Sequence, residues 1–128
     1  MSQRINYATG ASWEKIVGYS RAVRMGHLIE VSGTVALKEG ELVGDGDPYM
    51  QTKRILEIIQ DSIEALGGEM ENVVRTRIYV RNISQWESIG RAHGEIFADI
   101  QPATSMVEVS RLIDDKFLVE IEATAVIL

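Results

Sequence analysis

The stretch from Phe117 to Ile127 restricts the fold more than any other part of the chain. Side chains of a strand alternate between two faces. Here Val119, Ile121, Ala123, Ala125 and Ile127 share one face, and Leu118, Glu120, Glu122, Thr124 and Val126 share the other. Such a strand belongs in a sheet with one face against a core. Val74 to Val80 repeats the pattern: Val74, Thr76, Ile78 and Val80 lie on one face, Arg75, Arg77, Tyr79 and Arg81 on the other.

Two helices are available to cover the apolar face. From Pro48 to Leu66, Ile55, Ile59, Ile63 and Leu66 recur at helical spacing, with Leu56 and Ile58 widening the stripe. Asp47 suits the N-cap, Pro48 the first helical position, and Gly67-Gly68 the C-terminal stop. A second helix is read from the capping-box pattern Ser84-Gln85-Trp86-Glu87, with Ile89, Ala92, His93, Ile96 and Phe97 facing inward and an end before Pro102. Tyr19–Met25 and Leu28–Ser32 read as a hairpin about Gly26-His27, and Ser105–Leu112 as one more strand. Lys38–Glu41 and Gly44–Pro48 read as turns. The order ββ-α-β-α-ββ predicts an α+β fold, a mixed β-sheet with two helices packed on one face.

A length of 128 residues suits one domain over 1–128. With 45% hydrophobic and 25% charged residues, disorder and fibrous classes are excluded. Lys plus Arg is 13 against 19 for Asp plus Glu, and the net charge of −6 disfavours nucleic acid as a partner. The absence of cysteine excludes disulfides, thiolate metal sites and a Cys nucleophile. Met1 to Tyr7 has no apolar signal region, and no apolar run approaches the ~18 residues of a membrane span. The expectation is a cytoplasmic protein without a membrane partner.

No metal site or cofactor is expected. His27 and His93 lack metal-ligand spacing, and no zinc, EF-hand, P-loop or G-x-S-x-G signature occurs. Gly90, His93, Gly94 and Phe97 share a helix face, which fits either close packing or an open pocket wall. Glu120 and Glu122 fit either an acid/base pair or ion-pair partners of Arg75, Arg77 or Arg111. The charged sheet face fits a solvated surface or a subunit interface whose charges line clefts.

Several segments together resemble the YjgF/Rid family of reactive-intermediate deaminases. They are Gly18-Tyr19-Ser20-Arg21, Val31-Ser32-Gly33-Thr34, Val74 to Val80, the Pro102-Ala-Thr-Ser-Met-Val-Glu-Val109 run and Val119-Glu-Ile-Glu-Ala-Thr-Ala-Val126. The resemblance extends from about residue 16 to residue 127. It implies a chorismate-mutase-like fold and a homotrimer with small-molecule ligand clefts between subunits. It also implies cofactor-free hydrolysis of reactive enamines and imines to a 2-oxo acid and ammonia. Some relatives carry the labels endoribonuclease and translation inhibitor.

The family's cleft tyrosine corresponds to Tyr19, its serine after the second strand to Ser32, and its last-strand carboxylate to Glu120, the candidate catalytic residue. The arginine that clamps the substrate carboxylate falls on Thr104, and the helix asparagine falls on Gly90. A guanidinium grips a carboxylate through two charge-assisted hydrogen bonds, which threonine cannot supply. Thr104 and Ser105 would then give only weak polar contacts, and the substrate is expected to differ from the usual 2-imino acids. Arg21 lies two residues from Tyr19 and is the candidate replacement in the cleft; Arg24 points to the other side. The leading expectation is a deaminase-like hydrolase. The alternatives are a non-catalytic metabolite-binding or regulatory trimer and an endoribonuclease using Arg75, Arg77 and Arg81.

Overall fold

A computed structural model describes residues 3–128. The alternating C-terminal segment forms β8 (Val119–Val126), inside the sheet, between β3 (Leu28–Thr34) and β6 (Val73–Val80). On one side the sheet continues through β2 (Ala22–Met25) to the edge strand β1 (Arg4–Tyr7). On the other it ends at β7 (Ala103–Glu108), which runs parallel to β6; the other pairings in this sheet are antiparallel. A parallel pair needs a crossover, and here α3 (Trp86–Phe97) supplies it. A small hairpin of β4 (Leu37–Lys38) and β5 (Glu41–Leu42) precedes α2 (Pro48–Ala65).

The core lies where the alternation places it. Ile55, Ile59 and Ile63 of α2 are fully buried in one cluster with Ile29, Ile78, Val119, Ile121 and Ala125. Each isoleucine removed from water contributes about 1.5–3 kcal/mol before chain entropy is counted. Asp47 caps α2 by accepting from the Met50 N–H. Gly67, at φ 89°, terminates it in the left-handed conformation, and the Gly68 N–H returns to the Ile63 carbonyl. The Arg24 guanidinium donates to the Leu66 carbonyl at 2.8 Å, so this arginine is tied to the helix end.

Several boundaries differ from the sequence expectation. The first hairpin strand begins at Ala22, because the N–H groups of Gly18 and Tyr19 cap a short helix, α1 (Ser12–Val17), through the Glu14 carbonyl. That helix and β1 were not expected. The second long helix starts at Trp86, since Asn82 accepts from the Ser84 N–H and folds Ile83–Gln85 into a 3₁₀ turn. Ser84 therefore forms no capping box. The strand expected over Ser105–Leu112 is shifted to Ala103–Glu108. In β6 a register shift between Val73 and Arg75 buries Val73 and leaves Val74 exposed. No helix among the described residues is long and apolar enough to cross a membrane.

Candidate functional site

The site begins at a fault in the sheet. Val31 faces Ala123 and Thr34 faces Ile121, so β3 carries one extra residue at Ser32-Gly33. Such a bulge bends a strand and re-aims its side chains. The Thr34 hydroxyl donates to the Ser32 carbonyl at 2.8 Å, and the Ser32 hydroxyl donates to the Ser20 carbonyl at 2.7 Å. Against the half-buried backbone of Gly33 lies the Glu120 carboxyl group. A Cβ at position 33 would collide with its Oε2 and come within 2.9 Å of its Cδ. Glycine here lets the Glu120 carboxyl group lie against the backbone; any side chain at position 33 would displace it.

Arg21 braces the same point. Its guanidinium donates through Nη2 to the Gly33 carbonyl and lies 5.8 Å from the Tyr19 ring centroid. Its Nε is buried without a partner. Burial lowers the Arg21 pKa, and Tyr19, Glu14 and Glu120 counter that shift. Burial, then repulsion from Glu122, raise the Glu120 pKa above the ordinary glutamate value, and Arg21 pulls it partly back.

The two glutamates have different surroundings. Glu122 accepts from the Tyr79 hydroxyl at 3.0 Å and pairs with Arg77 at 3.7 Å. Glu120 has neither hydrogen bond nor ion pair among the described residues and is half-buried. A surface concavity of about 780 Å³ is bordered by Tyr19, Ser32, Arg77 and Glu122. A second of about 720 Å³ is bordered by Tyr19, Arg21, Trp13 and Phe117.

The remaining candidates sit elsewhere. Thr104 is the Cα partner of Thr76 across the parallel β6–β7 pair, and their hydroxyls are 2.8 Å apart. Thr76 is fully buried on the helix-covered face, and its hydroxyl also meets His93 Nε2 of α3 at 2.9 Å. On the same face of α3, a Cβ at Gly90 or Gly94 would meet nothing within 4 Å. The face is thus divided: there is open space at the two glycines, while Phe97 is buried in the core and its ring lies 4.6 Å from that of His93. Ser105 points to the opposite face of β7 from Thr104 and accepts from Arg75 at 2.9 Å. One chain thus gathers Tyr19, Arg21, Ser32 and Glu120 at the bulge, and separately Gly90 and Thr104 at the β7 side of the helix-covered face. Among the described residues no group of three or more His, Asp or Glu side chains could hold a metal ion.

Thr76 escaped the sequence reading, although a hydroxyl in an otherwise apolar row was a signal. So did Glu14, which is buried and accepts from the Thr9 hydroxyl at 2.6 Å and the Thr9 N–H at 3.1 Å.

A sequence model of the family described as endoribonuclease L-PSP matches residues 9–127. The chain belongs to this family, the YjgF/Rid family. Among its YjgF/Rid relatives, a RutC family protein of Pyrococcus abyssi is 36% identical over 109 residues, 84% of each chain. An uncharacterised protein of Streptomyces coelicolor, SCO2049, is 38% identical over 117 residues, covering 91% of this chain and 87% of the relative. The crystal structure of Rv2704 from Mycobacterium tuberculosis, described as a YjgF/YER057c/UK114 family member, superimposes with a TM-score of 0.90 at 42% identity. It covers 98% of this chain and 100% of that one. The YjgF/Rid sheet with its two long helices on one face is the expected fold; α1 adds a third, short helix.

Proposed function

We propose that this YjgF/Rid protein is a cofactor-free hydrolase of a small reactive imine or enamine, with Glu120 as general base. The observation that carries the reading is the Glu120 carboxyl: half-buried, raised in pKa and unpaired beside a fixed arginine. A base of this kind takes a proton from water as the oxygen attacks the C=N carbon. The nitrogen gains a proton, the carbinolamine collapses, and ammonia leaves a carbonyl product. An enamine first accepts a proton on carbon to become the imine. Tyr19 and Ser32 border the concavity of about 780 Å³, whose lining in the single chain includes Glu122 but not Glu120.

A homotrimer completes the site in this reading. The bulge group and the Thr104 group lie on opposite faces of the sheet, so a neighbouring subunit is needed to join them. The helix-free face, with Arg75, Arg77, Tyr79 and Glu122, supplies the self-association surface. Light scattering at micromolar concentration is expected to give three times the chain mass; a monomer would remove the shared cleft.

The substrate clamp is missing. Hydrolysis of 2-iminopropanoate and 2-iminobutanoate, generated in a coupled lyase assay, is expected to be weak. Thr104→Arg should raise it by adding a bidentate carboxylate partner. Strong activity of the unaltered protein on both substrates would overturn this assignment.

Arg21 acts on Glu120 rather than as a clamp, since Nη2 is held by Gly33 and Nε is buried. Its charge lowers the Glu120 pKa. In Arg21→Met that pKa should rise, moving the acid limb of the kcat/KM profile to higher pH. An unmoved limb would detach Arg21 from Glu120.

RNA cleavage has less support. Arg75 donates to Ser105, Arg77 pairs with Glu122, and Arg81 lies 3.9 Å from Asp115, so each basic side chain of the stripe has a protein partner.

A further inference from the structure

His93, Thr76 and Thr104 form a continuous hydrogen-bonded chain from α3 across β6 to β7. His93 Nε2 is 2.9 Å from Thr76 Oγ1, which is 2.8 Å from Thr104 Oγ1, which is 3.2 Å from the Pro102 carbonyl oxygen. Each hydroxyl has a single proton to donate. If Thr104 donates to Pro102, then Thr76 donates to Thr104 and His93 donates from Nε2. In that arrangement every member is satisfied, and His93 is the neutral Nε2–H tautomer. Burial lowers the His93 pKa, in keeping with a neutral ring. If the chain runs the other way, Thr104 donates to Thr76. In both arrangements the only Thr104 proton is engaged within the protein.

We propose that Thr76 and His93 fix Thr104 as a hydrogen-bond acceptor, so that this part of the cleft takes an uncharged N–H-bearing group such as a primary amide and disfavours a carboxylate. The proposal deepens the hydrolase reading, on which it rests for placing Thr104 in the ligand cleft. The free lone pair of Thr104 attracts an N–H and repels a carboxylate oxygen. The arginines of α3 and β6 do not offset that repulsion within the chain: Arg75 and Arg77 belong to the other face of the sheet, and Arg91 lies over the Tyr49 ring at 4.2 Å. Room for the group is present, because Gly90 and Gly94 leave open space beside His93. Specificity in such a site follows from leaving one partner unmatched.

The test compares 2-oxobutanamide with 2-oxobutanoate, two probes of nearly equal size, titrated into the full chain and followed by amide and imidazole ¹⁵N shifts. The chain has two histidines, so the His93 signals are assignable. The amide is expected to bind about tenfold to a hundredfold more tightly, the range that one unmatched polar group produces. Thr104→Val should remove most of that preference by weakening the amide alone. Thr76→Val removes the hydroxyl that orients Thr104, leaving the Thr104 proton able to turn from the Pro102 carbonyl toward a ligand, and should narrow the preference by improving the carboxylate; if Thr76→Val does not fold, Thr104→Val decides. Equal affinities, a preference that survives Thr104→Val, or failure of both probes to bind would overturn the proposal. Binding is read without turnover. A preserved preference in a protein that hydrolyses nothing overturns the hydrolase reading alone, and hydrolysis without the preference overturns this proposal alone.

Discussion

Glu120→Gln is expected to lower turnover of the true substrate by roughly 10²–10⁴-fold, the usual worth of a general base. Glutamine keeps the shape and removes the basic oxygen. The fold should tolerate it, because Glu120 makes no ion pair or hydrogen bond among the described residues, while Glu122 holds Arg77 and Tyr79. Stability should move in the opposite direction from activity. Burial and Glu122 raise the Glu120 pKa, so ionisation is harder in the folded chain than in the unfolded one. The stabilising contribution of the neutral form is complete below the ordinary glutamate pKa and is lost as pH rises through the folded value. Glu120→Gln should therefore melt higher than the unaltered protein at neutral pH, and the gain should vanish in acid. A variant that loses its assembly would mark Glu120 as a structural residue. One that keeps full turnover would leave water activation to another group.

Gln51→Leu should destabilise the fold by about 3 kcal/mol or more, because three backbone groups lose their partner and each stranded polar group costs ~1–3 kcal/mol. Gln51 is fully buried at the start of α2. Its Nε2 donates to the carbonyls of Gly44 and Lys116 at 3.0 and 2.9 Å, and its Oε1 accepts from the Leu118 N–H at 2.9 Å. One side chain thereby ties the turn before α2 to the loop that delivers β8, two residues ahead of Glu120. Leucine fills similar space and satisfies none of the three backbone groups. Urea denaturation should show a lower midpoint with an unchanged slope. A loss below about 0.5 kcal/mol, the range of neutral surface changes, would mean that the loop finds other partners.

The fold was legible where periodicity was strong. The Ile55-Ile59-Ile63 stripe and the Val119-to-Ala125 alternation located α2 and β8 and gave the sheet its inner face. β1 and α1 are short and mostly exposed, so they carried no periodic signal. The capping-box pattern at Ser84 was outcompeted by Asn82, whose side chain captures the nearer N–H. At the site, the two carboxylates of β8 were visible as a pair, but their surroundings were not. The separation of a partnered Glu122 from a free Glu120 depends on Arg77 and Tyr79 in β6 and on a bulge in β3. Alternation places residues on a face; it does not say which neighbour reaches them. For the same reason Thr104 and Ser105, adjacent in sequence, were expected to act together and instead occupy opposite faces of β7.

Ammonia release from freshly generated imines tests the central claim most directly. The panel should contain the imines of 2-oxobutanoate and of 2-oxobutanamide, each followed with the unaltered protein, with Glu120→Gln and in buffer alone. The account predicts that the protein accelerates release from at least one imine and that Glu120→Gln abolishes the acceleration. Release at the buffer rate for every imine, or equal acceleration by the unaltered protein and Glu120→Gln, would contradict it.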